Sequence, residues 1–508
     1  MKILRISTRS YSYRDFAHLF DGPVCVTLTK NSLFNLKQSH KRLLEKINTG
    51  ETIYGVNTGF GNLSKIKIDP KDQKDLQLNL VRSHASGVGN PLELGLIRTI
   101  FVLKLLTYVK GYSGIRPAVA EKIVQFLNND ILPVIPEKGS VGASGDLAPL
   151  GHMALALIGE GKVFYNGKEI TTKTALSKAK IKPLVLQQKE GLSLVNGTQV
   201  STALAIKSLL DGDLLLKTAD IAGALSVENS FASRKVFQKK IHALKNHPGQ
   251  QSVASNVYKL LNGSKIVKSH SNCGIVQDPY SFRCIPHIHG ASKDGFTRAA
   301  NMIDNEINSV SDNPIVLENG DIVNSGHFHG EHLAQAMDFL AISFCELGAV
   351  SERRTHYFMK GVEGKFHLFV TKSPGVESGY MMAHVTASAL VSENKTLAHP
   401  ASVDSLPTSG GQEDLVSMAP WAGQKLLQIQ HNLRHILAVE LLVAGAANQI
   451  ASPNLRSGKG TLPILNILKS LCKYHNGDRT LSGEIESIAK KIKSGEFVHA
   501  VTKNIILE

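Results

Sequence analysis

The chain has 508 residues, 42% of them hydrophobic and 19% charged, which is apolar material for a large buried core and excludes a disordered chain. Its formal net charge of +15 would suit a polyanion only if concentrated on one face. The basic residues are scattered, and the densest runs, SRKVFQKKIHALKNH at 233–247 and the lysines Lys173, Lys178, Lys180, Lys182 and Lys189, read as solvated helix faces and loops, so no nucleic-acid partner is expected.

The first fifty residues hold a β-prone run, VCVTLT, and an amphipathic helical pattern, SLFNLKQSHKRLLEKINTG, stopped by Gly50. MKILRISTRSYSYRDF lacks the apolar segment and cleavage site of a secretory signal. A glycine-rich loop follows, YGVNTGFGNLS at 54–64, and QKDLQLNLVRSHASGVG reads as a helix running into a second loop. Pro91 is expected to restart a long helix to about Lys110; Arg98 and Lys104 interrupt its apolar run, so no membrane span is expected. AVAEKIVQFLNNDILPVIP predicts another helix, ended where Pro133 and Pro136 forbid continuation.

The stretch GSVGASGDLAPLGHMALALIGEG, residues 139–161, opens on a nearly bare backbone. Asp146 predicts a helix N-cap, Pro149 falls in the first turn, and Gly159 and Gly161 end the helix. A polar excursion covers 162–190, with FYNGKE a hairpin turn. Beyond GLSLVNGTQ the pattern is helical, with long apolar-periodic segments at 293–311, 331–351, 379–397 and 420–447 that predict a bundle of long helices. Five cysteines, Cys25, Cys273, Cys284, Cys345 and Cys472, show no CxxC spacing and point to a reducing, cytoplasmic setting without a disulfide framework or zinc ribbon.

The bare stretch has a chemical reading as well as a structural one. Ala143, Ser144 and Gly145 sit at a helix entry, where aligned N–H dipoles favour negative charge. Gly145 offers an unhindered backbone nitrogen that can close on the Ala143 carbonyl, and the Ser144 hydroxyl can leave as water. Cyclisation with loss of two waters gives a methylidene-imidazolone, an electrophile no ordinary side chain provides. A glycine-rich helix entry without chemistry is the alternative.

With GSVGASGDLAPL, the blocks YGVNTGFG at 54, SLVNGTQ at 193, VQDPYSFRCIP at 276, SDNP at 311 and SENKTLAHPASVDSLPTSGGQEDLVSMA at 392 make the chain, from about 50 to 450, similar to the histidine and aromatic amino-acid ammonia-lyases. The resemblance implies a mainly α, fumarase/aspartase-like fold. A portion at 1–200 carries the 4-methylidene-imidazol-5-one (MIO) precursor and a lid loop, and 201–508 forms the long-helix bundle and a C-terminal helical region. It further implies a homotetramer with shared active sites, a cofactor made from Ala143, Ser144 and Gly145 without metal, and β-elimination of ammonia from an amino acid. By the same resemblance Tyr54 is the base that takes the β-proton, His84 contacts substrate, and Arg283 holds the substrate carboxylate. Tyr280, Asn196 and Gln277 surround the prosthetic group, and Phe328 matches the site aromatic. For His84 a packing role is the alternative, and for Asn196, Gln277 and Tyr280 the satisfaction of backbone groups.

Gln412 and Glu413 resemble the histidine-specific members, because a carboxylate suits an imidazole, which is a donor and can be cationic. The expected reaction is L-histidine to trans-urocanate. Two departures, Leu415 where histidine is usual and His327 where asparagine is usual, keep tyrosine elimination to coumarate open, and an aminomutase would use the same group. A basic nucleic-acid scaffold would leave these motifs idle. His327, His329 and His332, like the PHIHG segment at 286, also permit a metal reading, but no metalloenzyme spacing accompanies them and no metal is expected.

Overall fold

The computed structural model describes residues 3–271, 274, 276–472 and 477–508; Cys273 lies outside them. The chain is mainly α-helical and divides into two compact units. The first holds the chain up to Lys207 with Ala300–Asp338 and Pro400–Gln424; the second holds Ser208–Ala299, Phe339–His399 and Lys425–Glu508.

In the first unit the β-prone run becomes strand Cys25–Leu28, parallel to Ile3–Ile6. Helix Lys30–Asn48 follows, its N-terminus closed by Thr29, whose hydroxyl accepts from Ser32 N at 3.2 Å. The expected hairpin forms between Lys162–Tyr165 and Lys168–Thr171. It turns on Asn166 and Gly167, both at positive φ (50° and 73°), which match the strand twist. One expectation changes: Pro91 does not start a helix. Val88–Pro91 is a strand against Pro136–Lys138, and the helix begins at Leu94 after Glu93. A proline suits a strand end because it brings no N–H that needs pairing.

Helix Leu94–Val109 is buried at nearly every position, Arg98 and Lys104 included. Gln73–His84, Leu147–Leu157 and Glu190–Val195 pack against one another within the unit. Two of them approach so closely that a Cβ on Gly151 would lie 2.7 Å from the His84 carbonyl carbon.

The second unit contains the larger parts of Gln199–Asn229, Ile285–Ile307, Glu331–Met359 and Ala419–Ala451 and all of Met381–Leu397. The last two lie close to their predicted spans. Ile285–Ile307 starts eight residues earlier than periodicity indicates, because Pro286 is tolerated in a first turn whose N–H groups have no intrahelical partner. Glu331–Met359 is apolar and long enough to cross a membrane by composition, but most of that stretch is buried inside the protein, as in a globular core helix.

Buried charge ties these helices together. Arg354 and Glu440 are both fully buried and make a two-pronged pair, Nη2 to Oε2 at 2.9 Å and Nε to Oε1. Ser226 and Ser351 each donate to Glu440 at 2.6 Å, and Arg354 donates to His289 Nε2 at 3.3 Å. His289 faces Asp220 at 3.0 Å through Nδ1, and Lys293 meets the other Asp220 oxygen at 3.0 Å. Burial works to raise the Asp220 carboxyl, yet Lys293 and His289 outweigh it and hold it below its ordinary value. Arg354→Met strands the Glu440 charge in the interior, so urea unfolding should lose about 3–5 kcal/mol. A loss below about 1 kcal/mol would show that water reaches Glu440.

Candidate active site

Two helix N-termini meet at Asp146, next but one to Ser144. Helix Leu147–Leu157 starts two residues after Gly145 and ends in a Schellman turn, where Glu160 N donates to Leu155 O and Gly159 N to Ala156 O. Asp146 occupies the cap position, but its carboxylate does not cap this helix. It accepts from Val200 N and Ser201 N, both at 2.8 Å, and from the Ser201 hydroxyl at 2.6 Å, and so closes helix Gln199–Asn229. The Asp146 backbone (φ −93°, ψ 54°) lacks the extended conformation that folds a cap side chain over its own first turn. Complete burial pushes the carboxyl up to about 6 despite these donors.

The same crossing leaves no room for side chains. Gly145 stands at φ +75°, and a Cβ there would lie 2.2 Å from the Gly197 carbonyl oxygen, which also accepts from Asp146 N at 2.8 Å. Ala143 is buried and Ser144 half-buried.

Ser144 opens onto a cavity of about 500 Å³ that it shares with Tyr54, His84, Asn196, Leu192 and Glu413. Its hydroxyl donates to Glu413 Oε1 at 2.8 Å. The other carboxylate oxygen accepts from Thr408 at 2.7 Å and Ser409 at 2.6 Å. Burial favours the neutral acid, but these hydroxyls outweigh it and hold Glu413 below the ordinary carboxylate value, ionised at neutral pH. Asn62 donates to the carbonyls of Ser409 and Gly410 at 3.0 Å each, joining the glycine loop to the Glu413 segment. In that loop Gly61 N donates to the Tyr54 hydroxyl oxygen at 3.0 Å, and Phe60 meets the Tyr54 ring edge-on.

His84 ends helix Gln73–His84 with Nδ1 2.9 Å from Leu80 O, which requires the proton on Nδ1 and leaves Nε2 an acceptor. Burial lowers its pKa, against the opposing pull of Leu80 and of Glu413. The cavity therefore offers two acceptors, one anionic and one neutral.

Other residues named from the sequence lie outside this cavity. Gln412 is exposed, and Phe328 is half-buried away from the lining. Gln277, Tyr280 and Arg283 belong to the second unit and are gathered among themselves: Arg283 donates to Gln277 Oε1 at 2.9 Å and Asp278 O at 3.0 Å and stacks 4.6 Å over the Tyr280 ring. Gln277 and Arg283 line their own cavity of about 420 Å³. His327 pairs with Ser325 and His329 with the Leu415 carbonyl, while His289 belongs to the buried network. Among the described residues no three His, Cys, Asp or Glu side chains form a group able to hold a metal. The sequence reading missed Asn62, Thr408 and Ser409. The last two stand in the same TSGGQE run as Glu413, and a turn returning the chain through Gly410 was the available signal.

A family model described as aromatic amino acid lyase matches residues 12–470. A histidine ammonia-lyase of Myxococcus xanthus is 44% identical over 91% of this chain and 92% of its own length. Among solved structures, histidine ammonia-lyase from Trypanosoma cruzi superposes with a TM-score of 0.91 at 34% identity, covering 100% of this chain and 96% of that one. Tyrosine aminomutase from Streptomyces globisporus superposes with a TM-score of 0.93 at 32% identity, covering 99% and 100%.

Glu413→Gln removes a charge that draws the His84 pKa upward, so the His84 ring should titrate at lower pH in the variant. NMR titration of histidine-labelled protein, with His84→Gln to assign the signal, measures this. An unchanged or higher midpoint would contradict the coupling.

Proposed function

The chain belongs to the aromatic amino acid lyase family, and from that premise we propose that it removes ammonia from L-histidine to give trans-urocanate. The observation that carries the substrate is the ionised Glu413, held by the Thr408 and Ser409 hydroxyls in the cavity of Ser144, beside a His84 whose Nε2 accepts. An imidazole brings N–H donors and, when protonated, a positive charge, and both suit this pair. The two departures from the histidine-type pattern lie off the cavity: Leu415 is 65% exposed and His327 is exposed.

Ala143, Ser144 and Gly145 would form the methylidene-imidazolone, and their surroundings fit it. No side chain can stand at 145, Ala143 is small and buried, and Asn196, which lines the cavity, has a buried side-chain oxygen without a hydrogen-bond partner. Once formed, the group supplies an electrophile that makes the substrate's amine a better leaving group. The converging helix N-termini favour the negative charge that develops beside it. Tyr54 takes the β-proton, and the N–H of Gly61, donating to its hydroxyl oxygen at 3.0 Å, orients that oxygen. Asn62 holds the Tyr54 loop to the Glu413 segment. Arg283, oriented by Gln277 and Asp278, takes the substrate carboxylate. In this reading Gln277, Tyr280 and Arg283 come from neighbouring copies in a homotetramer, and Phe328 and Gln412 complete the wall. The unpaired Cys25, Cys284, Cys345 and Cys472 support a cytoplasmic setting.

The likeness to an aminomutase favours one second reading, in which ammonia returns to the β-carbon. Intact mass should fall short of the sequence mass by two waters, and Ser144→Ala should restore it. Histidine should yield urocanate and free ammonia faster than tyrosine yields coumarate; a β-amino acid product would establish the mutase, and a full mass in active protein would overturn the prosthetic group. Tyr54→Phe should lower kcat by about a hundredfold or more while the mass deficit persists. Retained kcat would remove Tyr54 from the role of base.

A further inference from the structure

Lys104 has no part in the mechanism above, yet it is placed where only a purpose would keep it. It lies in the middle of helix Leu94–Val109 and is fully buried. Among the described residues no carboxylate forms an ion pair with its amine. Burying such a group costs several kcal/mol unless its donors are satisfied, and burial drives the amine down to about 7, with Asp312 and Asp146 pulling the other way.

Its donors go to a single short segment. Nζ donates to the Asn196 backbone carbonyl at 2.6 Å and to Gln199 Oε1 at 3.1 Å, and Gln199 in turn donates to Thr107 on the same buried helix at 3.2 Å. Residues 196 and 197 form the peptide that touches the Ser144 cradle. Gly197 O accepts from Asp146 N and lies against Gly145, while Asn196 lines the cavity with its buried, unpartnered side-chain oxygen. Asn196 N is already held by Leu192 O at 2.9 Å. The Lys104 bond is thus what fixes the far side of this residue, and no other described side chain reaches its carbonyl.

We propose that Lys104 is a positioning residue for the elimination: it pins the Asn196–Gly197 peptide from below and so sets the direction in which the Asn196 amide meets the reacting group. This rests on the lyase reading. The amine does its work by hydrogen bonding through a backbone carbonyl and never meets the substrate.

Lys104→Met keeps the length and apolar stem while removing the donors. Rates are taken per molecule carrying the two-water mass deficit, so that incomplete maturation does not count. The variant should lose about tenfold or more in kcat with KM changed less than about threefold, because the interaction serves the transition state and not substrate capture. The double variant Lys104→Met/Asn196→Ala should be no slower than Asn196→Ala alone, since both changes disable one device. The ultraviolet band of the mature group should shift in Lys104→Met in the direction seen for Asn196→Ala. An unchanged kcat, a loss that multiplies with that of Asn196→Ala, or an unmoved band would overturn the assignment. Lys104→Gln serves as a second variant should the first not fold; loss of the helical circular dichroism signal in both would overturn it too, by making Lys104 a fold residue. If the parent protein itself showed neither a mass deficit nor ammonia release, the lyase reading would fail, which is a different result.

Discussion

The close crossing of Gly145 over the Gly197 carbonyl is the constraint on which the site depends. A distance of 2.2 Å from a hypothetical Cβ to that oxygen excludes every residue but glycine at 145, and the Asp146 N–H locks the crossing with a hydrogen bond. Because the chain crosses there, the N-termini of helices Leu147–Leu157 and Gln199–Asn229 meet at Asp146. Asp146 belongs to the first by position and to the second by hydrogen bonding. The first helix thereby opens its N-terminal dipole just after Ser144, while the second directs its own at the Asp146 carboxylate.

Polar groups around this crossing are buried at a cost, and each compensation has a direction. Hydroxyls from Thr408, Ser409 and Ser144 keep Glu413 ionised against burial, whereas His84 receives too little help and stays neutral. The cavity consequently combines an anion with a neutral acceptor. In the second unit the same physics serves architecture: the Arg354–Glu440 pair and the Asp220–His289 contact link four of the five long helices through buried charge.

Much of this was legible along the chain because it is local. Helical periodicity located Met381–Leu397 and Ala419–Ala451 closely, and FYNGKE located its hairpin through two residues that accept positive φ. Ala143, Ser144 and Gly145 stood out because the ring closure proposed for them needs small neighbours adjacent in sequence. Pro91 was misread because a proline at a strand end and one at a helix start carry the same local signal, and only its pairing with the Pro136–Lys138 strand distinguishes them.

The sequence by itself determined the helical class, the bare backbone strip at 143–145 and the acidic character of position 413, since each follows from residue type and short spacing. The tertiary structure alone decided that Asp146 caps a helix fifty residues away, that Glu413 reaches Ser144 across 269 positions, and that Lys104 ends beneath Asn196. Those contacts join segments far apart in the chain. Their direction is set by how closely packed helices cross, and no local pattern of residues encodes a crossing.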